Sequence, residues 1–469
     1  MTPEEIYNHR AKFYKETPLS RIEVKQESFL NEYDPNGHKI NDPIIYPNIH
    51  KIITDEKATN ELKNKIVEIA VERVAIPLQE IIATKQTTHV CGNPVQFIDA
   101  SPSPTEEMKQ LLTIYKQGWL KKNMEVLKYK FVESLKITGE AAANVYIENG
   151  KVNWRVFSFY DGDILHPVFN SKGKLEYFGR SYHVYDPTKK EYNTYMEVWD
   201  KTNAIRYKKN KLDISGANTS EWIVEENVTH GYSSVPITYA YDRKGPCWYP
   251  VQDLIDKMEI ALSQLFENNK SYAFRILFIK GGFEVQGDLR GQARAILAES
   301  GDADAKFLEK ADVSNSFKLQ LESTMQFIQH GSFIVFPPEI KSGDTPSVSI
   351  KVVYSPAWEK GFKDANFINI NVDDIVEMFK HYYGMEIEKV SEFKKLDIRG
   401  EIIPYIHTNE QEIIANINQS VSMGSISRET AAEIHPYSKN DEYTRILKEE
   451  REILTGQETP VNTRENVQE

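Results

Sequence analysis

Pro250-Val-Gln-Asp-Leu-Ile-Asp-Lys-Met-Glu-Ile-Ala-Leu-Ser-Gln-Leu-Phe-Glu-Asn-Asn-Lys-Ser-Tyr272 decides the reading of this chain. Val251, Leu254, Ile255, Met258, Ala261, Leu262, Leu265, Phe266 and Tyr272 follow the i, i+3, i+4, i+7 rule, which predicts a long amphipathic helix opened by Pro250. Leu254, Met258, Leu262 and Leu265 give it a broad apolar stripe. Such a stripe can pack inside one subunit or against equivalent helices of neighbouring subunits.

Downstream, the pattern predicts a compact insertion: a strand Phe274–Ile279, a turn Gly281-Gly282, a short helix Leu289–Ala298 and a strand Lys306–Ala311. A helix over Leu319–His330 leads into Ile334–Pro346, a 13-residue stretch with Pro337, Pro338, Pro346 and Gly343. A loop of that length without structure of its own suggests function. Ser347–Gly384 reads as a long helix kinked at Pro356, although β-branching also permits a strand over Ser347–Tyr354. A strand at Leu396–Ile403, two helices between Asn409 and Glu452 and a polar tail after Thr455 complete this half.

Upstream, Gly139–Ile237 alternates aromatic and β-branched residues, as in Asn144-Val-Tyr-Ile147 and Tyr192–Trp199. Asn149-Gly150, Asp161-Gly162 and Asp186-Pro187 punctuate it, so antiparallel hairpins are expected. Ser103-Pro104-Thr105-Glu106 predicts a capped helix running to about Lys136, preceded by a short strand in Cys91–Phe97. Asn60–Gln86 has helical apolar spacing that Pro77 should end or kink, and the first 55 residues, broken by Pro18, Pro35, Pro43 and Pro47, read as a loosely structured arm.

The whole is 469 residues of α+β pattern, with 57 basic and 69 acidic side chains, hence 57 − 69 = −12. That balance argues against a protein that grips nucleic acid through a basic surface. Two cysteines, Cys91 and Cys247, are too few for a disulfide framework. No apolar run reaches the ~18–20 residues of a spanning helix, and Met1–Ser20 lacks the apolar region of a signal peptide. The sequons at Asn218, Asn227 and Asn418 are therefore expected to carry no glycan.

Enzyme signatures are missing. Gly282 and Gly287 have phosphate-loop spacing, but Asp288 and Leu289 stand where Lys and Ser or Thr are required. His89 and Cys91 would share a strand face without further ligands, so no metal and no cofactor is expected. The carboxylate pairs Glu106-Glu107, Asp373-Asp374 and Glu449-Glu450 read as solvated helix faces or favourable first turns. With the aromatic hairpins they leave open a carbohydrate-active hydrolase as the rival from another class.

The order of pieces carries a resemblance. Cys91–Phe97 precedes a helix leading to Gly139-Glu-Ala-Ala-Ala-Asn-Val-Tyr146, then hairpins, then Ser234-Val-Pro-Ile-Thr-Tyr239 and Asp253-Leu-Ile-Asp-Lys-Met-Glu259. Gly343-Asp-Thr-Pro-Ser-Val-Ser349 opens a second long helix, and Gly424-Ser-Ile-Ser-Arg-Glu-Thr-Ala431 precedes Pro436 and Glu442–Glu450. From about Asn60 to Glu450 this resembles the portal proteins of tailed bacteriophages, in the branch of long-tailed phages of Gram-positive bacteria.

The resemblance implies an α+β portal-type subunit with no enzymatic activity, divided as follows: arm 1–55, wing 56–249, first stem helix 250–273, clip 274–317, second stem helix 318–333, channel loop 334–346, long wing helix and strand 347–408, crown 409–455 and tail 456–469. Pro337, Pro338, Glu339, Lys341, Asp344 and Pro346 would face DNA in the channel loop, Leu254, Met258, Leu262 and Leu265 would pack the stem, and Arg275, Arg290, Arg294 and Lys306 would mark the clip. It implies a ring, commonly of twelve copies, at one capsid vertex of the virion, made in the host cytoplasm. Its partners would be double-stranded DNA, the large terminase subunit, the capsid or scaffolding protein and a head-to-tail adaptor, with no membrane. Another neck or baseplate component is the nearer rival. Glu339, Lys341 and Asp344 mix the loop's charge, and Glu309 and Asp312 make the clip acidic. Twelve copies at −12 each carry roughly −144, a field suited to letting DNA slip rather than to holding it.

Overall fold

The computed structural model describes residues 1–16, 20–54, 64–101, 105–188, 190–209, 222–272, 277–280, 283–285, 296–298, 304–307, 314–336, 347–405, 410–438 and 442–455. The chain forms two compact units, one of Met1–Phe336 with Pro356–Tyr405 and one of Pro337–Ser355 with Ile406–Glu469. Helices and strands mix throughout, an α+β arrangement.

In the first unit, Thr2-Pro3-Glu4-Glu5 opens helix α1 (Pro3–Glu16). Thr2 Oγ1 accepts the Glu5 amide at 3.3 Å and Glu5 Oε2 accepts the Thr2 amide at 2.8 Å, a capping box with proline in the first turn. Helix α2 (Ser20–Tyr33) follows. The expectation of a loose arm is therefore corrected: Ile6 and Phe29 are buried in two different cores.

Strands β1 (Ile49–Thr54) and β2 (Asn64–Ile69) pair antiparallel, Ile49 opposite Ile69, and residues 70–77 carry no regular secondary structure before helix α3 (Leu78–Cys91), the Leu78 amide turning back over Pro77 onto the Ile76 carbonyl. Among the described residues of Asn60–Gln86, the expected helix is thus found only from Leu78 onward. Ile66, Val67, Ile69, Val71 and Val74 are β-branched, and Pro77 stands at the helix start rather than at its end. Cys91 closes α3, and the short strand β3 is Gln96–Asp99, paired with Ile398–Glu401.

The single helix expected from Ser103 is two helices, α4 (Glu106–Lys121) and α5 (Met124–Thr138), broken where Asn123 adopts the left-handed conformation at φ 55°. Thr105, not Ser103, provides the N-cap, its Oγ1 accepting the Met108 amide at 3.3 Å.

The hairpin region resolves into β4 (Glu140–Glu148), β5 (Lys151–Phe157), β6 (Ile164–Phe169), β7 (Leu175–Asp186), β8 (Glu191–Trp199), β9 (Asn203–Lys209), β10 (Trp222–Thr229) and β11 (Ile237–Tyr241). They make a three-stranded sheet ordered β11-β4-β5 and a five-stranded sheet ordered β10-β9-β8-β7-β6, antiparallel throughout. Ala142, Phe157, Leu165, Phe178, Trp199 and Ile237 fill the core shared by the two sheets.

Next come helix α6 (Gln252–Tyr272), strands β12 (Leu277–Lys280), β13 (Phe283–Val285), β14 (Ile296–Ala298) and β15 (Asp304–Phe307), and helix α7 (Ser314–Ser332). β12 pairs with β15 and β13 with β14, a nested antiparallel ribbon between two helices. Ile296–Ala298 is strand where the sequence predicts a helical end: Ile296 and Leu297 find partners in Val285 and Glu284.

Helix α8 (Ser347–Glu386) carries Pro356 inside it, at the boundary between the units. Pro356 has no N–H for the Val352 carbonyl, and the Ser355 hydroxyl donates to that carbonyl instead at 2.9 Å. Helix α9 (Val390–Phe393) and strand β16 (Ile398–Glu401) close the first unit. Its largest core gathers Tyr115, Trp119, Leu127, Phe131, Val145, Ile368, Ile375, Phe379 and Phe393 from α4, α5, β4, α8 and α9.

Among its described residues the second unit has three further helices, α10 (Glu410–Ser422), α11 (Arg428–Ile434) and α12 (Glu442–Thr455), where the sequence predicts two. Gly424 at φ 71° follows α10, and Ser427 caps α11 by accepting the Thr430 amide at 3.1 Å.

Candidate functional site

Helix α6 starts deep in the first unit. Val251 and Ile255 are fully buried and Met258 nearly so, packed with Ile82 and Ala83 of α3 and Ile328 of α7. Leu254 and Leu262 lie against the same cluster, half-buried, so this part of the stripe is used within the subunit. Leu265 is half-buried farther along. A methyl group at Gly331 would come within 2.5 Å of Val251 Cγ1, so the end of α7 meets the start of α6. The two helices run antiparallel with the nested ribbon between their far ends. Residues 264–270 of α6 and 315–327 of α7 include no buried side chain.

A second contact runs along α6. Residues 72–76 lie beside it as an extended strap, and alternate amides donate to side chains one turn apart: Ile76 to Glu259 Oε1 at 2.8 Å, Val74 to Ser263 Oγ at 2.9 Å and Glu72 to Glu267 Oε2 at 3.2 Å. Two extended residues advance ~6.6 Å and four helical residues ~6.0 Å, so three rungs stay in register. Lys270 Nζ closes the series on Glu72 at 2.5 Å. Arg73 ties this strap to the Tyr46 carbonyl at 2.9 Å and to Asn48 Oδ1 at 2.8 Å.

Glu259 is buried and also faces His38, whose Nδ1 lies 2.6 Å from Oε1. His38 Nε2 lies 2.8 Å from the Glu32 carbonyl. With acceptors on both sides the ring carries both protons, an imidazolium beside a carboxylate. Burial alone would lower its pKa, but the hydrogen bond and charge of Glu259 overcome this and hold it above the ordinary value. Lys39 adds an ion pair to Asp256 at 2.6 Å.

At the other end of α7 the polar groups interlock. Gln86 Nε2 donates to the Ser332 carbonyl at 2.7 Å, and Gln86 Oε1 accepts from Lys136 Nζ at 3.2 Å. Lys136 pairs with Asp364, and Lys360 reaches the same carboxylate at 2.6 Å. Burial pushes the Asp364 pKa up, but the two ammonium groups outweigh it and hold the carboxyl below its usual range. Burial, reinforced by the Lys136 charge, lowers that of Lys360. This knot joins α3, α5 and α8 at the root of the segment that leaves α7.

Pro337, Pro338, Glu339, Lys341, Asp344 and Pro346, with Arg275, Arg290 and Arg294, lie outside the described residues; Lys306 sits on β15 opposite Phe278. The features suggesting a hydrolase are committed to structure. Phe157, Phe178 and Trp199 pack together in the inter-sheet core, with tilted rings whose centroids are 5.5 Å apart for Phe157–Trp199 and 5.9 Å for Phe178–Trp199. Asp373 accepts the Gly400 amide and Asp374 the Thr238 hydroxyl, each at 2.9 Å, while Glu106 pairs with Lys109 and Glu450 with Arg428. His89 and Cys91 are on helix α3, not a strand, where a separation of two residues turns them about 200° apart. His38, Glu259, Ser263 and Glu267 were not singled out by the sequence. Their polar i, i+4 spacing is visible in it, but the extended partner is not.

Compared with known proteins, residues 33–455 match the family described as phage portal protein, SPP1 Gp6-like. Among solved structures the chain is similar to one titled "Neck of empty GTA particle computed with C6 symmetry", at 10% identity and a TM-score of 0.40, over 80% of this chain and 90% of that one. No curated protein matches.

Proposed function

The chain belongs to the phage portal protein family, and from that premise we propose that it works by geometry, as one subunit of a closed ring at a capsid vertex through which double-stranded DNA enters and leaves. As a portal protein it is a structural component of the virion and connects head to tail. In this reading α6 and α7 are the stem, the nested ribbon β12–β15 is the clip, and 334–346 is the loop that meets DNA. The first unit otherwise forms the wing, and α10–α12 form the crown. The ring holds twelve copies and docks a packaging motor, a head-to-tail adaptor and the capsid or scaffolding protein.

One observation carries the reading: an antiparallel helical hairpin whose base is buried in its own subunit and whose far half, residues 264–270 and 315–327, has side chains that are at most partly buried. An amphipathic helix without cover on its apolar face needs a partner to be stable. Negative-stain microscopy of the purified protein is expected to show rings with a central hole. A strictly monomeric particle at high concentration overturns the proposal.

A further inference from the structure

A cleft of about 460 Å³ lies beside the core shared by the two sheets of the first unit. That volume is within the range of small-ligand sites. Its walls follow from strand alternation. Ala142, Trp199 and Ala204 pack in the core, and Asn144, Glu197 and Arg206, each two residues away on β4, β8 and β9, share their faces and line the cleft. Arg155, opposite Asn144 on β5, and Glu226, opposite Arg206 on β10, join them.

The five-stranded wall carries a row of alternating charge, Arg180, Glu197, Arg206 and Glu226, on successive strands. Most of the row is satisfied internally. Arg180 donates to Glu197 at 3.1 Å and to Asp163 at 2.8 Å, while Arg206 Nε lies 3.2 Å from Glu225 Oε2 and its guanidinium covers the Tyr195 ring. Glu226, at the end of the row, has no ion pair or hydrogen bond among the described residues, and neither has Arg155 on the other wall. Glu148, which also lines the cleft, accepts from Asn153 Nδ2 at 3.4 Å. Asn144 is only 3% exposed, yet its Oδ1 has no hydrogen-bond partner among the described residues. A buried amide oxygen without a donor is destabilising, and a ligand N–H would remove that penalty.

We propose that this cleft binds a peptide carrying both signs of charge: Arg155 takes its carboxylate, Glu226 and Glu148 its ammonium group, and Asn144 Oδ1 one of its amide N–H groups. Other ligand classes fit less well. A simple anion would meet Glu148, Glu197 and Glu226, a simple cation would meet Arg155 and Arg206, and an apolar compound would strip water from both sets. The two charges of the peptide come either from the termini of a short free peptide or from acidic and basic side chains within a segment of another protein. The cleft lies within the first unit of a single copy, so it does not depend on ring assembly.

The test titrates the full chain calorimetrically with three probes: Ala-Ala-Ala, the same tripeptide acetylated and amidated, and acetyl-Glu-Ala-Lys-amide. The blocked neutral tripeptide should not bind. Binding of Ala-Ala-Ala identifies a free peptide as the ligand, and binding of acetyl-Glu-Ala-Lys-amide identifies a protein segment. Arg155 and Glu226 are exposed, so R155E and E226K are expected to melt like the wild type. Each should weaken binding of the charged probe by about tenfold or more, because a like charge then faces it. The double variant R155E/E226K reverses the polarity of the cleft without removing either sign, and should recover most of the lost affinity. Three results each overturn the proposal: equal binding by all four proteins, a neutral tripeptide that binds as well as the charged probes, or no binding by any probe.

Discussion

His38 Nδ1 and Glu259 Oε1 meet at 2.6 Å across 221 residues of sequence, and the same oxygen accepts the Ile76 amide. One buried carboxylate thus fastens two separate strips of the N-terminal region to α6. Replacing His38 by Ala strands this carboxylate away from water, at a cost of about 3–5 kcal/mol. Because the folded pKa of His38 is raised, the pair's contribution is complete below about 6.5 and is lost as pH rises through the higher folded value. Melting temperature measured against pH should show the gap between wild type and H38A narrowing above neutrality. A gap independent of pH would mean that the ring is not charged.

Ser263 offers the middle rung. S263A leaves the Val74 amide without its acceptor, at about 1–3 kcal/mol if water does not replace it. Hydrogen exchange at Val74 should speed up in S263A and return toward wild type in S263T. Unchanged protection in S263A would show that the strap is held by its flanks alone.

Gly331 permits the close approach of α7 to α6. G331A should destabilise by about 1–3 kcal/mol through overpacking against Val251. V251A makes a small cavity by itself, and the double variant should be less damaged than the sum of the two, as urea melts of all four proteins would reveal.

Asp364 neutralises Lys136 and Lys360 at the root of the loop. D364N leaves the buried Lys136 ammonium and the partly buried Lys360 ammonium facing each other and should cost about 2–3 kcal/mol, below the range for a fully buried pair. Its folded pKa is depressed, so the stabilisation is present above the unfolded value and fades as pH falls through the folded one. Chemical denaturation of D364N and wild type at decreasing pH should therefore converge in acid.

Deleting Glu339–Asp344 should leave rings intact while lowering the DNA content of filled heads, because the loop is assigned to DNA and not to assembly. Heads that fill normally would remove the loop from the mechanism.

Legibility in the sequence followed the range of the interaction. α6 is readable because its stripe is local, and the alternating strands between residues 140 and 241 because their turns are. The capping box Thr2-Pro3-Glu4-Glu5 was as plain as Ser103-Pro104-Thr105-Glu106, yet the prolines after it suggested a loose arm. The strap defies its pattern because Ile66, Ile69, Val74 and Leu78 satisfy helical spacing by coincidence, while what holds 72–76 extended is a set of acceptors almost 200 positions away. The order of helix, ribbon and helix carried the family resemblance, whereas the polar knot around Asp364 unites residues that no pattern links.

Strap and helix together behave as a vernier, two scales of slightly unequal division laid side by side. Each further rung adds a mismatch of ~0.6 Å, so a fourth would be about 2 Å out of reach. The strap therefore cannot be lengthened by repeating its pattern. Its frame has to be handed to another kind of pairing after Glu72, and β2, which ends at Ile69, is where the chain makes that exchange.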